Sequence, residues 1–109
     1  MPKIVDAVKP EAREMRAVFA ETLDDMAAKD SRVMYLDCDL MNSIGRTPFS
    51  KKYPGQTVNC GIQEANMIGV AAGMSATGLI PFAHTFGTFA SRRVMGTSRC
   101  ATSVSATRR

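Results

Sequence analysis

Glu64 is the residue in this chain whose setting most invites chemistry. It lies in Val58-Asn59-Cys60-Gly61-Ile62-Gln63-Glu64-Ala65-Asn66-Met67-Ile68-Gly69, and no Asp or Glu follows it. A carboxyl group between an apolar strand and an apolar, small-residue helix is costly to bury without a task or a partner. Burial of that kind raises a carboxyl pKa, which suits the group to hold or pass a proton near neutral pH. The plain alternative is a glutamate at a helix start, facing the macrodipole.

The elements that must position Glu64 follow from hydrophobic spacing. Residues 1–10 read as an extended lead-in ending at Pro10, which fits a first helical turn. Met15, Val18, Phe19, Thr22, Leu23 and Met26 fall at helix spacing, predicting a helix over 11–29 with Glu11 and Glu14 in its first turn. Val33-Met34-Tyr35-Leu36 predicts a buried strand at 32–37. Thr47-Pro48-Phe49 opens a short helix that Tyr53-Pro54-Gly55 closes. A second strand is expected at 57–60. The helix at 63–77 is apolar or small almost all round, so it should be buried, with Gly78 as its cap. A third strand is expected at 79–85 and a further helix from Gly87. Alternating strands and helices imply an α/β fold, a three-layer, doubly wound, mostly parallel sheet. Ligands in such sheets bind beyond the carboxyl ends of the strands. Asp39, Glu64 and Phe86 each fall just after a predicted strand, so all three should lie along that edge.

Composition narrows the function classes. The net charge of +4 belongs to the end of the chain: residues 1–91 carry nine Lys/Arg against ten Asp/Glu, and residues 92–109 add five Arg. With two Tyr, no Trp and no basic-aromatic interleaving in the body, a nucleic-acid surface is rejected. Cys38, Cys60 and Cys100 form no C-x-x-C pair and have no clustered His, so no metal site is signalled. Reduced cysteines and an N-terminus without an apolar signal core lead us to expect a cytoplasmic chain. Ala65 to Ser91 lacks Asp, Glu, Lys and Arg, but Gly78 and Pro81 interrupt it and Asn66, Ser75, Thr77 and His84 are polar. A helix followed by a strand explains that stretch better than a membrane span.

Gly61-Ile62-Gln63-Glu64-Ala65-Asn66-Met67, then Gly69-Val70-Ala71-Ala72-Gly73, then Pro81-Phe82-Ala83-His84-Thr85-Phe86-Gly87-Thr88-Phe89 together resemble the pyrimidine-binding domain of transketolases. The resemblance is closest to the split form, whose C-terminal half is a separate subunit, and it runs from Glu11 to Met95. It implies the thiamine-diphosphate-binding fold and thiamine diphosphate as cofactor. It also implies that Glu64 hydrogen-bonds the ring nitrogen of the aminopyrimidine, favouring the tautomer that takes the thiazolium proton for two-carbon ketol transfer between sugar phosphates. By the same resemblance Phe86 and Phe89 wall the aminopyrimidine, and Asp39 and Gly61 lie near the cofactor. Arg16 and Ser43 match positions that meet the sugar phosphate. Each has a plainer reading: core phenylalanines, a turn or cap aspartate, a solvated arginine. His84 is left unassigned, since a lone His is more often a satisfied core residue.

The Gly-Asp-Gly motif and downstream asparagine that hold magnesium and diphosphate in the family do not occur here. The resemblance therefore implies half a cofactor site, completed by a transketolase N-terminal subunit in a hetero- or homo-oligomer. Residues 96–109 depart from the family and read as a disordered basic tail. A frameshift near Gly96 is one expectation for it, and a natural short form with a basic tail is the other. Alternatives in function are the same domain from a deoxyxylulose-phosphate synthase or a 2-oxo-acid dehydrogenase β-subunit, and a non-catalytic partner-binding or flavodoxin-like ligand-binding module.

Overall fold

A computed structural model describes Pro10, residues 12–43 and residues 45–96; the expected tail and most of the lead-in lie outside these residues. The order is α1 (Met15–Lys29), β1 (Val33–Asp37), α2 (Thr47–Lys52), β2 (Thr57–Asn59), α3 (Glu64–Ala76), β3 (Ile80–His84) and α4 (Gly87–Arg92), with a 3-10 turn at Pro54–Gln56 before β2. The three strands form one parallel sheet in the order β2-β1-β3. Tyr35 pairs with Thr57 on one side and with Phe82 on the other.

β1 is central and fully buried, so its alternation sorts the core into two layers. Val33 and Tyr35 face α1 and α2, packing with Leu23, Ala27 and Phe49. Met34, Leu36 and Cys38 face α3 and pack with Met67. Helices on both faces of a parallel sheet make the three-layer α/β arrangement expected from the sequence. The strand order puts the switch in crossover direction between β1 and β3, where such folds open a crevice.

Two expectations need correction. α1 begins at Met15 with Glu14 as its N-cap residue, so its first turn carries no acid. The apolar stripe is present there, but Met15 is 87% exposed because no described element covers it. α3 is not buried all round; Glu64 and Met67 are its buried residues, and the rest is half-buried or exposed. Its low polarity exceeds what one sheet face of three strands can cover.

α3 ends as predicted at Gly78. The Leu79 N–H donates to Met74 O at 3.1 Å and the Gly78 N–H to Ser75 O at 3.1 Å. That pair of bonds is a Schellman motif, and it requires Gly78 at φ +91°. Leu79 and Met74 close it from the apolar side against the α3 core layer. α3 is thereby fixed in length, which sets where Glu64 begins it.

Candidate functional site

The strand ends turn sharply, and the turns place the candidate residues. Beyond β2 the Cys60 N–H donates to Asp37 O at 2.8 Å, extending the ladder one residue. Gly61 then takes φ +71°, and the Gln63 N–H returns to Gly61 O at 2.8 Å. This tight reversal seats Glu64 as the first residue of α3. Its side chain is 4% exposed, and both carboxylate oxygens accept from Arg93 Nη1, at 3.1 and 3.0 Å. Its own backbone N–H and the Arg93 guanidinium hold the carboxyl below its ordinary 4.5, outweighing the cost of burial. The raised pKa expected from burial is thus overturned: the carboxyl is buried with a donor at hand, and donors favour the charged form.

Phe86 is the N-cap residue of α4 and Phe89 follows one turn later, with ring centroids 6.0 Å apart at 42°. Phe86 is 45% exposed, as a wall open to a ligand would be. The Arg93 guanidinium lies 4.3 Å from the centroid of the Phe89 ring, a cation-π stack. Glu64, Arg93, Phe89 and Phe86 therefore form one contiguous cluster at the carboxyl edge. Cys38 sits beside it, its thiol 3.5 Å from Met67 Sδ and pushed up in pKa chiefly by burial.

Asp39 reaches the same edge in a different cluster. It takes φ +61°, its N–H donates to Asn59 Oδ1 at 3.0 Å, and Asn59 Nδ2 donates to its Oδ1 at 3.2 Å. The Gly61 N–H also donates to Asn59 Oδ1, at 2.9 Å. Asn59 thus ties the ends of β1 and β2 to the Gly61 turn. A Cβ on Gly61 would meet nothing within 4 Å, so the turn conformation, not crowding, accounts for the glycine.

Arg16 lies on the α1 face, where Met15, Arg16, Phe19 and His84 line a cleft of about 420 Å³. Its guanidinium is tied to Glu14 at 2.6 Å, and both side chains are largely exposed. Ser43 is exposed in the turn after β1, and no hydrogen bond links it to Arg16 among the described residues. His84 stacks on Phe19 at 5.6 Å, and its buried Nδ1 has no hydrogen-bond partner among the described residues. Burial holds its pKa below the ordinary 6.5, against the pull of the neighbouring Asp37. Asp37 is itself buried, accepting from the Tyr35 hydroxyl at 3.1 Å and the Leu40 N–H at 2.6 Å.

Arg93 and Asn59 were missed as site residues. For Arg93 the signal was its place four residues after Phe89, one helical turn from an aromatic ring. Asn59 ends β2 and stands two residues before Gly61, a pattern that suits a side-chain-bridged turn.

Comparison with known proteins gives the family. Residues 11–108 match the family model described as transketolase, pyrimidine binding domain. The chain belongs to that family, a domain of thiamine-diphosphate enzymes. It is 48% identical over 87 residues to a 6-deoxy-6-sulfo-D-fructose transketolase subunit of a Clostridium species, covering 80% of this chain and 27% of that protein. It is 43% identical over 79 residues to a putative transketolase C-terminal section of Methanocaldococcus jannaschii, covering 72% and 25%. A 1-deoxy-D-xylulose-5-phosphate synthase of Porphyromonas gingivalis is 33% identical over 84 residues, covering 77% and 13%. Among solved structures, a split gene transketolase described as an inactive beta4 tetramer superposes with TM-score 0.71 at 37% identity, covering 79% of this chain and 29% of that one. The chain thus spans about a quarter of the transketolase relatives it matches.

The residues present fit one end of the family's cofactor. A buried carboxylate beside an exposed aromatic wall suits a flat nitrogen heterocycle, and a flat N–H-bearing group already lies between them. Among the described residues no group of three His, Cys, Asp or Glu side chains is placed to hold a metal ion.

Proposed function

We propose that this chain supplies the aminopyrimidine half of a thiamine diphosphate site in a transketolase-type enzyme, moving a two-carbon ketol unit between sugar phosphates. The observation that carries the proposal is Glu64. It is a buried carboxylate at the start of α3, charged, and facing a flat donor stacked on Phe89. When bound, thiamine diphosphate supplies the carbanion chemistry through its thiazolium ring, and the protein positions and tunes it. Charged Glu64 accepts a hydrogen bond from the ring nitrogen of the pyrimidine and so keeps a proton on it, Phe86 and Phe89 hold its plane, and the Asp39–Asn59–Gly61 lattice keeps the strand ends in register.

The diphosphate and its magnesium belong, in this proposal, to a partner chain of the N-terminal transketolase-subunit type, in a cytoplasmic hetero- or homo-oligomer. Arg16, 65% exposed and tethered among the described residues only to Glu14, has the freedom to turn toward a sugar phosphate. Higher identity to the transketolase subunits than to the deoxyxylulose-phosphate synthase favours ketol transfer over that alternative.

Co-expression with a transketolase N-terminal subunit tests the proposal. We expect a co-purifying complex with ketol-transfer activity that neither chain has alone, and stable association with no activity toward any ketose phosphate would count against it.

A further inference from the structure

Building on the functional reading above, we propose that Arg93 is a place-holder for the cofactor's aminopyrimidine ring: its guanidinium occupies the seat between Glu64 and Phe89 and leaves when the ring enters. Three observations carry this. The guanidinium offers Glu64 a planar N–H donor, with Nη1 3.1 and 3.0 Å from the two oxygens. The same plane stacks on Phe89, its central carbon 4.3 Å from the ring centroid. A flat heterocycle that donates to Glu64 while stacking on Phe89 must pass through that volume, so the two cannot be seated together.

The grip is also built to be exchanged. One nitrogen serves both oxygens, rather than the two-nitrogen fork that makes arginine–carboxylate pairs strong. The Arg93 side chain is 49% exposed and Glu64 only 4%, so Arg93 has a path to solvent and Glu64 does not. Arg93 stands at the C-terminal boundary of α4, with its N–H on Phe89 O at 3.0 Å, so its backbone stays anchored while the side chain turns.

The exchange imposes a requirement on the ligand. Leaving Glu64 buried without a donor is expensive. An entering ring must therefore bring its own donor toward the carboxylate, which for a pyrimidine means a ring nitrogen that has taken up a proton from solvent. A flat ring without one has nothing to offer in return for displacing Arg93, so the pair filters against apolar aromatics.

The test uses the full chain with nitrogen-15 arginine labelling, titrated by NMR with 4-amino-2-methylpyrimidine and, separately, with toluene. We expect the pyrimidine to move the Arg93 Nε–H resonance toward that of free arginine, and toluene to leave it in place. Arg93→Ala should bind the pyrimidine more tightly, by up to about fivefold, the equilibrium weight of a half-exposed ion pair. Arg93→Lys, which keeps the charge without the flat stack, should fall between, and it serves as the readout if the alanine variant folds poorly. An Arg93 signal unmoved at saturation, or binding unchanged or weakened in both variants, overturns the proposal. If that binding still depends on Glu64, as shown by its loss in Glu64→Gln, the functional reading survives and only the place-holder fails. No pyrimidine binding to the unmodified chain or to either Arg93 variant overturns the place-holder, and the functional reading is then decided by the co-expression result.

Discussion

Asn59 and Asp39 hold each other across the ends of two parallel strands. Asn59 accepts the Asp39 N–H at 3.0 Å and donates to the Asp39 carboxylate at 3.2 Å. Asn59 also accepts the Gly61 N–H, so one amide oxygen serves two turn donors. Asn59→Ala should therefore lower stability by about 1 kcal/mol, since both donors fall back on water. Asn59→Asp should cost at least as much, because it sets a second carboxylate against Asp39 and removes the donor. Urea midpoints of the two variants check this, and an unshifted midpoint for both would show that solvent already competes for these bonds.

A second stability prediction concerns Gly78. It sits at φ +91° with open space where a Cβ would point. The cost of Gly78→Ala is then conformational alone, about 1–2 kcal/mol for forcing an L-residue into that region. Gly55, with no positive φ and equally open space, is the matched control, and Gly55→Ala should be near neutral. Equal midpoints for the two variants would contradict the Schellman reading.

The sheet was legible because β1 advertises it. Four apolar residues bounded by polar ones predicted the strand, and the placement of Glu64 after β2 and Phe86 after β3 followed from the alternation of elements. α3 misled because its composition reports what a helix can bury, whereas its exposure depends on what else is present. Glu64 misled in its proton affinity for a related reason. Burial was inferred correctly, but the donor lies 29 residues away at the C-terminal boundary of α4, and nothing local to Glu64 announces it. Asp39 was picked for its position after a strand, while the residue that fixes it, Asn59, looked like an ordinary strand end.

His84 should make stability fall between neutral pH and mildly acidic pH. Its folded pKa is depressed below 6.5 by burial, with Asp37 the charged neighbour and Phe19 and Tyr35 the rings around it. The contribution is full above the unfolded pKa and is lost as pH falls through 6.5 toward the folded value. His84→Phe should flatten the stability profile between about pH 7 and pH 5. Glu64, also depressed, contributes at a lower window, above 4.5 and lost as pH falls further, so the two are separable. A His84→Phe profile that parallels the unmodified chain would sink the assignment.

Cofactor affinity should expose the half-site. In the proposed function the diphosphate and magnesium contacts come from a partner, so this chain alone is expected to bind thiamine diphosphate weakly and without dependence on magnesium. Isothermal titration calorimetry gives the answer directly. Tight, magnesium-dependent binding by the isolated chain would mean that its own residues suffice, and the partner would no longer be required.

Glu64→Gln carries the most weight for the proposed chemistry. Glutamine keeps the size of the side chain and still accepts a hydrogen bond, but it cannot hold a proton against the pyrimidine nitrogen. In the complex with a partner subunit the loss should appear in activation of the cofactor rather than in assembly. Positioned acid–base groups typically contribute ~10²–10⁴-fold, so thiazolium proton exchange into deuterated water, followed by NMR after rapid quench, should slow by that order. The substitution also removes the charge that Arg93 faces, so the fold must be checked alongside. Arg93→Ala is the matching control, since it breaks the same ion pair while keeping the carboxylate. Slow exchange in Glu64→Gln with near-normal exchange in Arg93→Ala would assign the effect to the carboxyl's proton. Equal slowing in both would instead assign it to the broken pair, and normal exchange in Glu64→Gln would leave Glu64 as no more than the first residue of α3.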